Sequence, residues 1–393
     1  MELTKRQVLF LLTISFVVIK VQRLPSLIAT NVGRHGWLIF LLLGIIDVLF
    51  LCLALIFNKY AKNRTTYEIC EQAGSKWYAK FIYLLMAIYF IFNCLLPYEA
   101  VHDIFANILF DHLSWEIYSI ILSATVLFVA SRQLKNIGRL GELLFYVISV
   151  SFIILLILGA VTTNYYRTLP IADINAQEFV DTCIHYNLWF GDFLILYVFV
   201  GKIKQEKGKL GWPVIVGYLV SVILVSFAYI VFYGLYEHLS PNQNSMISSL
   251  SQFSLLGLDI GRIDWFLVLF FQVGTVISSA LFLYLAAECL RLVFGIKKNV
   301  LIMFILVIGV YLADILIFKS VQAGASIIAG VTKYFAISMI VLMPILLLIT
   351  LGVANKKNKN KNEFCFYRKN GEKFLSQKEN PTKYKRRNYV EKN

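Results

Sequence analysis

The chain has 393 residues, of which 59% are hydrophobic and only 15% are charged, and its formal net charge is +14. A soluble domain carries about 25% charged residues, so this composition excludes a soluble globular protein and predicts a chain that lies mostly in lipid. The positive charge does not indicate nucleic acid binding, because it is concentrated in short loops and one tail that flank apolar segments.

Ten apolar segments are long enough to cross a bilayer as helices, which takes about 17 to 25 residues each. The predicted spans are residues 7–29, 37–57, 79–108, 114–130, 142–162, 177–201, 212–236, 264–290, 299–318 and 328–352. The N-terminal segment, the even-numbered loops and the tail hold most of the Lys and Arg residues outside the spans. Because cytoplasmic loops are rich in these residues, both termini are predicted to be cytoplasmic.

The last segment, residues 355–393, is rich in Lys and Asn and has almost no aliphatic residues. Such a segment cannot bury enough apolar surface to fold alone. We therefore expect a ten-helix transmembrane domain over residues 1–354, followed by a basic, disordered cytoplasmic tail over residues 355–393. The tail is expected either to lie along the anionic inner leaflet or to act only as a solvated retention signal.

The first predicted span holds the densest set of polar residues at membrane depth: Lys20, Gln22 and Arg23, followed by Pro25. An ionisable residue at the membrane centre costs at least ~2.5 kcal/mol, and Pro25 removes the donor that would bond the carbonyl of Val21. The segment therefore predicts an interrupted helix, a feature that transporters use for binding. The alternative is that Lys20 and Arg23 extend their charged ends to the outer membrane surface.

The sixth predicted span contains Asn187, Gly191 and Asp192 within six residues. Gly191 weakens the helix where the two polar side chains are added, so a second interruption facing the first is predicted. In that arrangement Lys20 would approach Asp192, because a hydrogen-bonded ion pair is tolerable at a depth where a lone charge is not. The alternative is a glycine packing contact in a regular helix.

Other spans carry single polar groups. Glu99 follows the kink expected at Pro97 in the third span and should face protein, and Gln272 begins a small polar stripe in the eighth. Such stripes are often helix packing faces. Asp47 and Asp314 are interpreted as structural carboxylates, although Asp47, like Glu99 and Asp192, is also a candidate counter-charge for the cations of the first span. The residues expected to contact a ligand are Lys20, Gln22, Arg23, Glu99, Asn187, Gly191, Asp192 and Gln272.

Several short motifs together resemble one known family. They are TKRQ at residues 4–7, LP at 24–25, GRHGW at 33–37, RLGEL at 139–143 and LWFGD at 188–192. In this order, and with ten spans, residues 4–352 resemble the B subunit of bacterial spore germinant receptors, a branch of the amino acid–polyamine–organocation transporter superfamily.

The resemblance implies an all-α, five-plus-five inverted-repeat transporter fold whose spans 1 and 6 are interrupted around a pocket of amino-acid size. It also implies a complex in the spore inner membrane with an A subunit and a lipoprotein C subunit. Val18 and Lys20 stand where relatives show small residues, so Lys20 would either offer its charge to a ligand or plug the pocket.

We therefore expect a membrane subunit that senses a small nutrient, an amino acid, and passes a conformational change to its partner subunits. Two alternatives stay open: an ion-coupled secondary transporter of amino acids, and a scaffold that binds no ligand. The sequence shows no nucleophile and base in a catalytic arrangement, no phosphate loop and no metal-ligand cluster. Neither an enzymatic activity nor a cofactor is expected.

Overall fold

The computed structural model describes residues 3–61, 63–104, 114–168, 174–203, 211–243, 245–254, 263–318 and 324–358. These residues form helices α1 (Lys5–Lys20), α2 (Leu24–Val32), α3 (Gly36–Ala61), α4 (Thr66–Ala73), α5 (Lys76–Ile104), α6 (Trp115–Ala130), α7 (Leu134–Thr162), α8 (Ala176–His185), α9 (Leu194–Phe199), α10 (Gly211–Tyr236), α11 (Met246–Ser254), α12 (Ile263–Phe294), α13 (Asn299–Phe318) and α14 (Gly324–Ile337). A π-helical turn at Ser338–Leu342 joins α14 to a further α-helical stretch over residues 343–358. No strand occurs among the described residues, so the all-α fold class is confirmed.

In the described part of the chain, seven helical segments are long and apolar enough to cross a membrane. They are Leu24–Ala61, Lys76–Tyr98, Leu134–Thr162, Gly211–Asn242, Val268–Phe294, Asn299–Ile317 and Ile327–Asn358. Helix α6 is apolar but has only 16 residues, and the first and sixth predicted spans are each divided into shorter helices. The count of ten spans therefore stays a prediction.

The outer surface of the bundle carries large apolar side chains. Leu49 of α3 is 61% exposed, Leu143 of α7 is 69% exposed and Leu316 of α13 is 81% exposed. Water would penalise an apolar surface of this extent, whereas lipid hydrocarbon does not. The chain is an integral membrane protein.

The two interrupted spans lie in the centre of the bundle. Helix α1 packs against α7, α10 and α12, and most of its side chains are buried. Every side chain of α9 is buried. Around them, the long helices α5 and α12 pack along each other, as do α3 and α10. The bundle thus encloses the two segments that carry most of the candidate ligand residues.

The start of α1 is tied to the chain that follows α9. The backbone N–H of Leu3 donates to the carbonyl of Lys202 at 2.8 Å, next to an isolated backbone bridge between Leu3 and Ile203. Lys202 Nζ lies 2.7 Å from Glu288 Oε1 of α12, and Arg291 donates to the same carboxylate at 2.8 and 2.9 Å. We call Leu3, Lys202, Ile203, Glu288 and Arg291 the clasp.

The last described helical stretch continues beyond residue 354, the predicted end of the transmembrane domain. Lys357 Nζ donates to the carbonyl of Ala73 at 2.7 Å, and Asn358 Nδ2 donates to Gln72 Oε1 at 3.2 Å. The first residues of the predicted tail are therefore helical and contact α4. Residues 359–393 lie outside the described residues, so their disorder stays a prediction.

Candidate functional site

The structure contains the first predicted interruption. Helix α1 ends at Lys20, residues 21–23 form turns, and α2 begins at Leu24. Pro25 lies in the first turn of α2, where a helix has no use for the N–H that proline lacks. The proline therefore starts the second half of the span instead of kinking one continuous helix.

The second interruption centres on Gly191. After α8 ends, a 3-10 turn (Asn187–Trp189) leads to extended backbone at Phe190, with φ −106° and ψ 173°. Gly191 has φ +94°, a conformation that side-chain-bearing residues rarely adopt. A Cβ atom at Gly191 would lie 2.5 Å from Tyr89 Oη and 2.8 Å from Ile340 Cγ1. The glycine thus permits the turn and also the close approach of its neighbours.

Lys20 and Asp192 meet between the two interruptions. Lys20 Nζ donates to Asp192 Oδ2, and the two side chains are 0% and 3% exposed. The ammonium also lies 4.0 Å from the centroid of the Phe16 ring and 5.0 Å from that of Phe190, within the range of cation–π attraction. The side chain of Lys20 therefore points into the protein and not to the membrane surface.

Asp47 of α3 belongs to the same cluster, which the sequence left undecided. It is fully buried, and its two carboxylate oxygens accept the Gly191 N–H at 2.9 and 3.1 Å. The hydroxyl of Tyr218 lies 3.0 Å from Asp47 Oδ2 and 3.4 Å from Asp192 Oδ2. Because this hydroxyl has one proton, it can donate to only one carboxylate at a time. We call Lys20, Asp47, Gly191, Asp192 and Tyr218 the central cluster.

Gln22 and Gln272 lie at the contact between the first interruption and α12. Gln22 Nε2 donates to Thr275 Oγ1 at 2.6 Å, one helical turn from Gln272. Gln272 is 5% exposed, and neither its amide nitrogen nor its amide oxygen has a hydrogen-bond partner among the described residues. Since buried amides are nearly always bonded, this side chain is available to a ligand or a water molecule.

Asn187 bonds outside the central cluster, and the side chain of Glu99 is not among the described parts of the chain. Asn187 Nδ2 donates to the carbonyl of Lys333 at 3.1 Å and to that of Ile184, so its amide fixes the turn after α8. The backbone of Glu99 lies in α5, which continues through Pro97. The side chain of Glu99 lies outside the described part of the structure, and its predicted contact with ligand stays a prediction.

Arg23 borders a cavity of about 820 Å³ between α2 and α8. Only 7% of its side chain is exposed, and Arg23 Nη1 donates to the carbonyl of Gln243 at 3.1 Å. Pro241 and Asn242 also line this cavity. We call it the vestibule. The side chain of Arg23 is therefore buried at the edge of this cavity and bonded to the chain at residue 243.

The chain is similar to known proteins in sequence and in fold. A family model described as spore germination protein matches residues 2–323. The chain belongs to the spore germination protein family. It is similar to spore germination protein A2 of Bacillus subtilis (strain 168), with 21% identity over 284 residues that cover 70% of this chain and 76% of the relative. The family resemblance seen in the motifs is confirmed.

Solved structures of the manganese transporter of Eremococcus coleocola have a similar fold. Its complex with an aromatic bis-isothiourea substituted compound gives a TM-score of 0.56 at 12% identity, covering 90% of this chain and 85% of that chain. A single-site variant of the same transporter gives a TM-score of 0.55 with the same coverage. This confirms the transporter-like fold of the chain. Among its described residues, no group of three His, Cys, Asp or Glu side chains is arranged to hold a metal.

Proposed function

We propose that this protein is the membrane subunit of a spore germinant receptor that detects an amino acid and signals to an A-type subunit and a lipoprotein C-type subunit. Family membership supports the role in germination. The observation that carries the sensing role is the buried pair of Lys20 and Asp192, because it joins the two interrupted spans through charges that a zwitterionic ligand can replace.

The ligand would exchange with the contacts of the pair. Its carboxylate would take the place of Asp192 beside Lys20, and its ammonium would take the place of Lys20 beside Asp192. A ligand shifts a conformational equilibrium only through contacts that differ between the two states. Here the free protein has the ion pair between Lys20 at the end of α1 and Asp192 in the second interruption, and the bound protein lacks it. The unpartnered amide of Gln272 supports a polar ligand in this region.

The transmitted signal would leave the protein through helix faces and loops. We place the protein in the spore inner membrane with both termini in the cytoplasm, so the clasp would lie on the cytoplasmic side and the vestibule on the outer side. The clasp connects the start of α1 to the chain after α9 and to α12. Separating the two interruptions at the central cluster would therefore change the cytoplasmic surface on which partner subunits dock.

A second candidate function, ion-coupled transport of amino acids, is favoured by the similarity to a solved transporter. Uptake of radiolabelled amino acids into vesicles, measured with and without an ion gradient, separates the two functions. A receptor subunit should bind without accumulating the amino acid, while spores that contain the subunit respond to it. Accumulation that depends on the gradient would replace the receptor proposal with the transporter.

Partner dependence gives a further test of the receptor proposal. The protein should co-purify with the A-type and C-type subunits from spore membranes, because it has to signal through them. A preparation that is stable, monodisperse and responsive to nutrient without other subunits would contradict the proposal.

A further inference from the structure

Two helical stripes of side chains face each other across the vestibule. From α2 and the turn before it, Arg23, Leu27, Thr30 and Asn31 line the cavity. From α8, Glu178, Asp181, Thr182 and His185 line it. Both sets follow the spacing of i, i+3 or i+4, and i+7 or i+8, which places each set on one face of its helix. The vestibule is therefore a regular cleft between two helices.

The positive charge of the cleft is buried, and its negative charges are exposed. Arg23 is the buried cation of the cavity, with 7% of its side chain exposed. Glu178 and Asp181 are exposed carboxylates on the opposite helix. A guanidinium binds a carboxylate with paired hydrogen bonds, and carboxylates bind an ammonium in the same charge-assisted way. A cavity with both groups on opposite walls matches a small molecule that carries both charges.

The uncharged lining indicates the rest of such a molecule. Leu27, Tyr186 and Pro241 give the cavity an apolar surface beside the charged groups. Its volume of about 820 Å³ lies within the usual range of ligand pockets, about 300–1,000 Å³. It is thus large enough to hold the side chain of an amino acid together with ordered water.

We propose that the vestibule between α2 and α8 is a binding site for an apolar α-amino acid, separate from the central cluster. Its carboxylate lies against Arg23, its ammonium lies toward Glu178 and Asp181, and its side chain lies against Leu27 and Tyr186. The kind of ligand rests on the proposed function. Because Arg23 stands in the turn directly after Lys20, a molecule in this site contacts the same interruption without breaking the buried pair.

Equilibrium binding to membrane vesicles that contain the full chain tests this site. The probes are tritiated L-leucine, L-valine and L-alanine, with 4-methylpentanoate and isoamylamine as competitors that lack the ammonium and the carboxylate of leucine, respectively. At least one amino acid should bind, and it should displace bound probe at concentrations about tenfold lower than either competitor, because each competitor loses one charge-assisted contact.

Three variants locate the bound molecule. Arg23→Gln, and Glu178→Gln combined with Asp181→Asn, should each weaken binding about tenfold. Arg167→Gln is the matched control, because Arg167 pairs with Glu237 at 3.2 Å and does not line the cavity. The Arg167→Gln protein should bind the amino acid with unchanged affinity. Since Glu178 and Asp181 are exposed, the acidic double variant answers the question even if Arg23→Gln fails to fold.

Two results would overturn the vestibule site. One is the absence of binding by all three amino acids to the unmodified chain. The other is unchanged affinity in both the Arg23→Gln protein and the acidic double variant, above all if Lys20→Met combined with Asp192→Asn removes binding. A failure of the sensing role is distinguishable, because it would appear as vesicles that bind an amino acid while spores do not respond to it.

Discussion

At the residue scale, the stability of the central cluster depends on how its buried charges are paired. Lys20 faces Asp192 directly, and Asp47 lies close enough to interact with the lysine electrostatically. Asp47 also keeps its bonds to the Gly191 N–H and the Tyr218 hydroxyl. The two carboxylates are therefore not equivalent, because Asp47 has partners of its own whereas Asp192 depends mainly on the ammonium.

Substitutions in the pair should affect expression and response differently. Lys20→Met leaves a buried carboxylate unpaired, and loss of one partner of a buried pair costs about 3–5 kcal/mol. Its membrane yield, measured by immunoblot, should fall. Asp192→Asn should be milder, because Asp47 is still near the ammonium. The combined variant should recover yield, and none of the three should respond to nutrient.

The yield and the response are measured on the same spores, so the two effects can be separated. A Lys20→Met protein that reaches normal abundance and responds at an unchanged nutrient concentration would contradict both the energetic argument and the ligand role of the pair.

Gly191 should tolerate no side chain. In Gly191→Ala the alanine must adopt a backbone φ of +94°, and its Cβ atom lies 2.5 Å from Tyr89 Oη. We expect these two effects to cost roughly 2 kcal/mol or more. Thermal unfolding in detergent measures the loss as a lower melting temperature. Gly309→Ala is the matched control, because nothing lies within 4 Å of its new Cβ. Equal melting temperatures for the two variants would show that the turn is not tight.

The sequence named Asp192, with Asp47 and Glu99, as a candidate counter-charge for Lys20, because a charge at membrane depth needs a partner. It gave the Lys20–Asp192 contact only for the case in which both interruptions face one cavity, and the structure has that contact. The sequence did not show whether Asp47 belongs to the central cluster, because nothing in a uniformly apolar helix indicates which of its faces contacts the interruption. It also did not predict the contact of Ile340 with Gly191, which depends on a π-helical turn in another span.

At the scale of elements, polar residues and glycine inside apolar runs predicted both interruptions. The sequence did not show how long the second interruption is, and it left a regular helix as the alternative. In the structure residues 186–193 separate α8 from α9. Helix α4 was missed, although the sequence carries its signal. Thr65 and Glu68 form a capping box, with bonds of 3.3 Å and 3.0 Å between each side chain and the backbone N–H of the other.

The clasp should govern local opening at one end of α1. Glu288→Gln removes the carboxylate that holds Lys202 and Arg291, so residue 202 is less firmly placed beside Leu3. Amide hydrogen exchange in the first turn of α1 and in residues 199–203 should become about tenfold faster. Glu71→Gln is the control, because its contact with Lys76 is long, at 3.9 Å, and exposed. Equal exchange in both variants would mean that the clasp carries no stability.

The whole molecule has two different ends, the clasp at one and the vestibule at the other. Positive loops predict that the clasp end faces the cytoplasm. Single cysteines at His238, whose side chain is 89% exposed, and at Lys76, whose side chain is 79% exposed, test this in a background without the six native cysteines. A membrane-impermeant maleimide should label position 238 in intact cells and leave position 76 unlabelled. The reverse pattern would invert the topology.

Composition and the length of the apolar segments were enough to predict the membrane class and the all-α fold, because an apolar run of about 20 residues crosses lipid as a helix that bonds its own peptide groups. The number of spans was harder to predict, because the sequence indicates a span only by the length of an apolar run. Length does not identify α6, which is short, or the spans that the structure divides into two helices. Motif order supplied the family, which the long match over residues 2–323 confirmed.

The central cluster also bears on how tightly the membrane is sealed. Broken helices expose peptide groups and charges that would ordinarily offer ions a route through hydrocarbon. In this protein those groups already bind one another, since Asp47 takes the Gly191 N–H and Asp192 takes Lys20. An ion must first separate them in a medium of low dielectric constant, which is costly. We therefore expect vesicles that contain the protein to release potassium no faster than protein-free vesicles.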